Sequence, residues 1–557
     1  MSNLFQLVAR HAERSGGEIA ISKWSPGARF VETSYAELLR KVRRFAARLE
    51  EFISQRTMVP MLVGKSADSV ALMLAAIKTG RPFCFVNTKY RGPQIAAVLD
   101  ASAAQVCVID APGILALKGA WKDHPQVARV TWVVIGKAGL TGIYAAAADA
   151  LRNAAKVILF EEDDRNDSQE MVTRDTVRPN TPGTCLFTSG STGEPKGVLI
   201  SEDDLMRRAE TEIAWFGLKH DDVLLSILPF SFDVGLNQLM TALAVGAELV
   251  VLDSWLPADI LAATEQRRVT GISGVPSIWQ DMISAGVQFD THGRHASLRY
   301  ITISGGSLPR QYLERLPEIA SGVQIFKTYG QTEAFRSTSL RPEEYHRKLD
   351  SVGKAFPGVR VYVVREDGSP CAPGEVGEVV HTGLGIMIGY MARTDGHAEI
   401  ESKIRNNTFF GAHDSSPVAV FTGDLGYLDD DGYLFLKGRR DNLVKVMGNR
   451  VYPEEVANQI VKICGVRDAA VVGVTSEDGR SVLLAFVAPL QRVELSAGAV
   501  RRALNTKLPA FMIPKEIVIV KQIPRGPTGK ADGRRLVEEY NAAAGSRAGT
   551  KEAQIAS

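Results

Sequence analysis

Thr188 to Gly197 reads TSGSTGEPKG and follows the apolar, strand-like Cys185, Leu186 and Phe187. The loop packs three glycines, four hydroxyl residues and one lysine into ten positions. Backbone N–H groups freed by glycine, together with Ser and Thr hydroxyls, can surround phosphate oxygens, and Lys196 adds positive charge. A flexible Ser/Gly turn would account for the glycines but not for a lysine held after Pro195. A Walker-type loop needs glycine before the lysine and Ser or Thr after it; here Pro195 precedes and Gly197 follows, so that reading fails.

Outward from this loop, short β-branched runs alternate with helical patterns. RFAARLEEF leads to TMVPMLVG, SVALMLAAIKTG to PFCFVN, and QIAAVLDAS to QVCVID. Such alternation marks βαβ units and parallel sheets covered by helices. DVLLSILP, AELVVLD and RYITISGG continue the rhythm and end in Gly, Pro or Asp, where an open α/β sheet presents its ligand crevice. The expected fold is α/β: a large N-terminal domain of layered sheets and helices over 1–440, then a small mobile α+β domain over 441–540. Asp441 is placed at the boundary, after the hairpin-like turn at Asp430, Asp431 and Gly432. The closing 541–557, small and polar, reads as a disordered tail.

The 557 residues are 45% hydrophobic, enough for more than one core. With 65 Lys plus Arg against 63 Asp plus Glu, the net charge of +2 provides no field for gathering nucleic acid. Five scattered cysteines without a CxxC pair argue against a disulfide framework and a zinc site. The N-terminal segment reads as an amphipathic helix, and no run approaches the roughly 18 apolar residues of a membrane span. No membrane insertion and a cytoplasmic location are expected.

The loop resembles the phosphate-binding signature of the acyl-adenylate-forming (AMP-binding) superfamily, which includes acyl-CoA and acyl-carrier-protein synthetases and stand-alone amino-acid adenylation domains. Further signatures follow in the family's order: GGSLP at Gly305 to Pro309, YGQTE at Tyr329 to Glu333, TGD at Thr422 to Asp424, GRRDNLVKVMGNRV at Gly438 to Val451, and PRGPTGK at Pro524 to Lys530. The resemblance implies an AMP-forming acid–thiol ligase that uses ATP and Mg2+ to convert a carboxylic or amino acid to its acyl-AMP. The acyl group then passes to CoA or to the phosphopantetheine of a separate carrier protein.

The residues carry these implied roles with a physical reason for each. Thr188, Ser189, Gly190, Ser191, Thr192, Gly193 and Lys196 would surround phosphates. Gly305, Gly306 and Ser307 would let backbone approach adenine, Tyr329 would stack on it, and Gly330 would lie beside it in the nucleotide site. Thr332 would meet the α-phosphate and Glu333 would offer Mg2+ a hard oxygen. Asp424 and Arg439 would hold the ribose. Lys530 would neutralise the anionic transition state of adenylation. Asp441 matches the hinge, while Lys445 and Gly448 match the segment that replaces Lys530 and borders the thiol tunnel.

Phe232, Asp233, Asn237, Ser277 and Arg336 are expected to line the acid pocket. Asp233 either binds a substrate ammonium group or caps a helix, and Arg336 either pairs with Asp233 or meets a polar group on the acid. A non-catalytic nucleotide-binding protein of this fold is the rival reading from another class. It would be expected to have lost Lys530, Glu333 or Asp424, and all three are present.

Overall fold

The computed structural model describes residues 2–24, 30–53, 57–117, 120–136, 143–160, 177–189, 195–391, 403–407, 414, 416–442, 444–446, 449–475, 481–526, 529–545 and 554–555. Two large sheets carry the N-terminal part. The first has nine strands in the spatial order Lys354–Ala355, Arg336–Leu340, Gln324–Gly330, Tyr300–Ile303, Gly271–Gly274, Val223–Ser226, Glu248–Val251, Ile19–Lys23 and Val31–Ser34. Its six inner strands are parallel and its margins antiparallel. The second has eight strands, with Val59–Leu62 central and Pro182–Ser189 paired antiparallel with Pro195–Ser201 towards one edge. The βαβ rhythm of the sequence is thus realised twice.

A layer of helices lies between these sheets. Leu4–Ser15, Tyr35–Phe52, Ala67–Lys78, Glu202–Phe216 and Asp233–Val245 share one core with Met61 and Phe83 of the second sheet and Leu249, Tyr300 and Phe326 of the first. Ala67–Lys78 is apolar on nearly all sides because both its faces meet protein. The outer faces carry separate cores, with helices Pro276–Ser284 and Arg310–Ile319 on the first sheet and Gly92–Ala101 on the second. A third, antiparallel sheet of Val359–Val364, Gly377–Gly383, Val418–Leu428, Ile404–Asn406 and Leu434–Arg439 completes the large part.

Beyond it, Val466–Thr475, Ser481–Pro489, Glu516–Ile519 and Gln554–Ile555 form a four-stranded sheet. Helices Pro453–Ile460, Ala497–Asn505 and Gly533–Gly545 complete this smaller α+β unit, together with the hairpin of Val444–Val446 and Asn449–Val451. Of the tail expected over 541–557, helix Gly533–Gly545 takes in the first five residues, where Ala542, Ala543 and Ala544 are strong helix formers, and Gln554–Ile555 pairs with Val474 and Thr475; 546–553 and 556–557 lie outside the described residues. Cys84, Cys107 and Cys185 are buried, Cys371 is half-buried and Cys464 is exposed on the small unit. No helix among the described residues is long and apolar enough to cross a membrane.

The two large sheets are tied at their strand ends by a buried lysine. Lys65, just past strand Val59–Leu62, donates to the carbonyls of Ser226 (2.8 Å), Ile227 (3.0 Å) and Leu252 (2.7 Å) at the ends of two strands of the other sheet. An ammonium group has three hydrogens, and each finds a carbonyl. Lys65→Met would remove this donor from all three carbonyls; Ser226 keeps the Leu252 amide at 3.0 Å, while each carbonyl left unpaired and kept from water costs about 1–3 kcal/mol. The variant is expected to lower the thermal unfolding midpoint by several degrees, whereas Lys41→Met should shift it far less. The Lys41–Asp68 pair at 2.7 Å is part-exposed, and such pairs contribute about 0–1 kcal/mol.

Candidate active site

The Tyr329–Glu333 segment turns out of the first sheet at a place only glycine permits. A Cβ on Gly330 would lie 1.5 Å from the Phe335 carbonyl oxygen, because the chain doubles back at once into Arg336–Leu340. Tyr329 is buried against Val352, Val363, Val379 and Leu434, and its hydroxyl donates to Asp424 Oδ2 at 2.6 Å. Gln331 Nε2 donates to the same oxygen at 2.5 Å, and Arg439 Nε lies 3.7 Å from Asp424 Oδ1. Asp424 and Arg439 face each other across adjacent strands of the third sheet. Tyr329, Asp424 and Arg439, named separately in the sequence, therefore meet at one point where two sheets touch.

Glu333 lies two residues beyond Gln331. Its Oε1 accepts from Tyr390 Oη at 2.9 Å and from Lys403 Nζ at 3.1 Å, and Lys403 also donates to Gln331 Oε1 at 3.2 Å. Burial pushes the Glu333 carboxyl up, but Lys403 and Tyr390 more than offset it and hold it below the usual carboxylate range. Among the described residues no group of three or more His, Cys, Asp or Glu side chains could hold a metal. A single hard carboxylate fits Mg2+, which is commonly held by one or two carboxylates together with substrate phosphates. Thr332 stands between Gln331 and Glu333, half-buried.

The phosphate loop is the tip of a hairpin. Thr188 faces Lys196 and Ser189 faces Pro195 across it, while Gly190, Ser191, Thr192 and Gly193 lie outside the described residues. Strand Gly389–Tyr390 pairs along the same hairpin, which brings Tyr390 to Glu333. Gly305 has φ +81°, and a Cβ there would sit 3.1 Å from Phe232 Cζ. Gly306 packs over Pro276, and Ser307 is exposed.

The small unit sets the turn that carries Lys530 against Ser277 and Val275 of the large part. The turn is held by Arg525, which donates to the Gly529 carbonyl (2.8 Å), to Gln280 of the large part (2.9 Å) and to Asp468 (2.5 Å). Gly529 has φ +79° and lies over Ser277: a Cβ would meet Ser277 Oγ at 3.0 Å and Val275 Cγ2 at 3.1 Å. Lys530 is exposed, and its charge acts on Asp233. Of Asp441 and Lys445 the side chains, and of Gly448 the whole residue, lie outside the described residues.

Asp233 is the first residue of helix Asp233–Val245, and the N-cap position belongs to Phe232. The carboxylate accepts from the Val234 amide at 2.8 Å. Burial raises its affinity for a proton, and the Val234 amide, Arg208, Lys530 and Arg336 oppose this only in part. Arg336 pairs directly with Glu212 rather than with Asp233, and both are almost fully buried. Burial also pushes the Glu212 carboxyl up, against the pull of Arg336. Asn237 is buried beside this pair with its side chain bonded to Glu212, whereas Arg336 Nε, Arg336 Nη1 and Ser277 Oγ have no hydrogen-bond partner among the described residues.

Sequence reading missed Lys403, Tyr390, Gln331 and Glu212. Gln331 stood inside a quoted signature, whereas Lys403 and Tyr390 carry no local pattern and become visible only through strand pairing. Glu212 read as one more charge on an amphipathic helix. Glu202, Asp203 and Asp204 are structural: Ser201 caps their helix and Asp204 binds the buried Arg208 at 2.5 Å.

Comparison with known proteins matches residues 8–391 to the AMP-binding enzyme family and residues 455–530 to the AMP-binding enzyme C-terminal domain. Indoleacetate–CoA ligase of Aromatoleum aromaticum is 30% identical over 96% of this chain and 98% of its own. D-alanine–D-alanyl carrier protein ligase of Bacillus licheniformis is 28% identical over 91% of this chain and 94% of its own. o-Succinylbenzoate CoA synthetase of Bacillus subtilis, solved with its acyl-adenylate intermediate, superposes with a TM-score of 0.76 at 22% identity over 100% and 99% of the two chains. A cleft assembled from the Tyr329, Asp424 and Lys530 segments, and full-length similarity of this kind, lead to one conclusion: the chain belongs to the AMP-binding enzyme family.

Proposed function

We propose that the protein is an AMP-forming acid–thiol ligase whose substrate is a carboxylic acid carrying a hydrogen-bond acceptor at its far end. One observation carries the substrate reading. The buried donors Arg336 Nε and Arg336 Nη1 have no hydrogen-bond partner among the described residues, and a buried donor left unpaired costs about 1–3 kcal/mol. Glu212 already balances the Arg336 charge, so a carbonyl or ring heteroatom satisfies these groups without placing a second net charge in the core. Asp233 has a helix amide as donor and three cationic side chains acting on it, which favours a positioning role over capture of an ammonium group.

In this reading Lys530 neutralises charge as the acid's carboxylate attacks the α-phosphorus, and Gly529 lets its turn seat against Ser277. Thr332 and the described hairpin residues Thr188 and Lys196 orient phosphate oxygens. Asp424, aligned by Tyr329 and Gln331, accepts from the ribose hydroxyls. Glu333 would hold Mg2+, which supplies charge neutralisation for the phosphates when bound. The unit beyond Asp441 turns after adenylation, withdrawing Lys530 and bringing the Lys445–Gly448 segment to the cleft for a thiol acceptor. CoA is the favoured acceptor, in line with the relative similar over nearly the whole chain. A carrier-protein phosphopantetheine is the second reading, favoured by the D-alanyl carrier protein ligase. The cytoplasm, where ATP and CoA are present, is the proposed location.

Substrate-dependent ATP–pyrophosphate exchange across amino, fatty, aryl and keto acids should respond to acids with a distal acceptor and not to D-alanine; a response to amino acids alone overturns the substrate reading. Arg336→Met should raise the KM for that acid about tenfold or more, the loss of one good buried polar contact. Lys530→Ala should reduce acyl-AMP formation by at least about a hundredfold, the range for losing one preorganised charge-stabilising group. It should largely spare thioester formation from supplied acyl-AMP. Equal loss in both half-reactions would overturn the alternation of the two domain positions.

A further inference from the structure

Lys403 precedes strand Ile404–Asn406 of the third sheet, outside every signature quoted above. Its side chain is about three-quarters buried, and its ammonium group bridges Glu333 Oε1 at 3.1 Å and Gln331 Oε1 at 3.2 Å. Gln331 in turn donates to Asp424 Oδ2, so one cation links the carboxylate assigned to the metal with the carboxylate assigned to the ribose. Glu333 Oε1 thus already has an internal counter-ion. Two cations at one carboxylate oxygen repel each other, and at about 3–4 Å in partly solvated protein the cost is on the order of kilocalories.

We propose that Lys403 is a transferable counter-ion: it neutralises Glu333 while the phosphate site is free, and moves its ammonium to phosphate oxygens when a divalent cation takes Glu333. The flexible four-carbon stem and compact charge of lysine suit such a short displacement. Tyr390, the second donor to Glu333, holds the carboxylate in place while the ammonium leaves it. The arrangement makes metal and nucleotide binding mutually dependent. Either alone faces an opposing charge or a missing partner; together they give the carboxylate its metal and the ammonium its phosphate. It also gives the large domain a cation of its own beside the phosphates, one that stays when the small domain carries Lys530 away. The inference rests on the assignment of Glu333 to the metal.

The test is direct binding, without turnover, on the full chain and its Lys403→Met and Lys403→Arg variants. Mn2+ binding to the nucleotide-free protein is read by electron paramagnetic resonance, and AMP binding without metal by calorimetry. Lys403→Met is expected to bind Mn2+ about tenfold more tightly and AMP about tenfold more weakly, opposite changes that general damage to the fold would not produce. Lys403→Arg should keep the wild-type weakness towards Mn2+, since it keeps the cation. Unchanged Mn2+ affinity in Lys403→Met, or a parallel loss of both ligands, overturns the proposal. Glu333→Gln separates it from the assignment beneath it: if that variant binds Mn2+ in the presence of a non-hydrolysable ATP analogue as well as wild type does, Glu333 is not the metal ligand. Pyrophosphate exchange by the wild type tests the ligase reading independently.

Discussion

Three carbonyl groups at the ends of two strands point at one ammonium group, that of Lys65, and the arrangement of the large part depends on their being satisfied there. Strand ends are where a sheet runs out of ladder partners, and polar backbone buried between two sheets has no water to turn to. Lys65 comes from the second sheet, while Ser226, Ile227 and Leu252 belong to the first. The contact therefore fixes the relative height of the sheets. It also anchors the start of the segment that runs through Phe230 and Phe232 to Asp233, so the proposed acid pocket inherits its frame from a structural lysine.

Around that frame the cleft is built from groups that restrain one another. Asp424 is aimed by Tyr329 and Gln331, Glu333 by Tyr390 and Lys403, Glu212 by Arg336, and Lys530 by the arginine that ties its turn to Gln280. Side chains already held in position lose little further freedom when a ligand arrives, which is how an enzyme avoids reorganisation at the moment of reaction. Each of these restraints joins one layer to another, sheet to sheet, helix to sheet or domain to domain. The chemistry belongs to the junctions and not to any single layer.

This division explains what could be read from the chain. The βαβ rhythm was legible because strand and helix impose different hydrophobic periods, and RYITISGG or AELVVLD states its period locally. Tyr329, Asp424 and Lys530 were legible through short signatures containing glycine, because Gly330 and Gly529 stand where a Cβ would collide with the Phe335 carbonyl or with Ser277. Lys65, Lys403 and Tyr390 were not, since a lysine or tyrosine acquires its partner only when strands distant in sequence become neighbours. Asp233 was half legible. The helix it opens was expected, but its place at the first turn, not at the cap, follows from where Phe232 sits. Reading disorder from 541 onward treated the small residues Ala542 to Ala544 as signs of a loose tail, when alanine is the best helix former.

The distribution of sulfur across the two units has a practical side. Cys84, Cys107 and Cys185 are sealed in the interior and Cys371 is partly covered, but Cys464 stands exposed on the small unit next to the positive-φ Gly465. An electrophilic dye added to the unmodified chain would meet Cys464 first. The native sequence thus supplies a spectroscopic address on the unit that carries Lys530, so its orientation can be followed by fluorescence without engineering a label site.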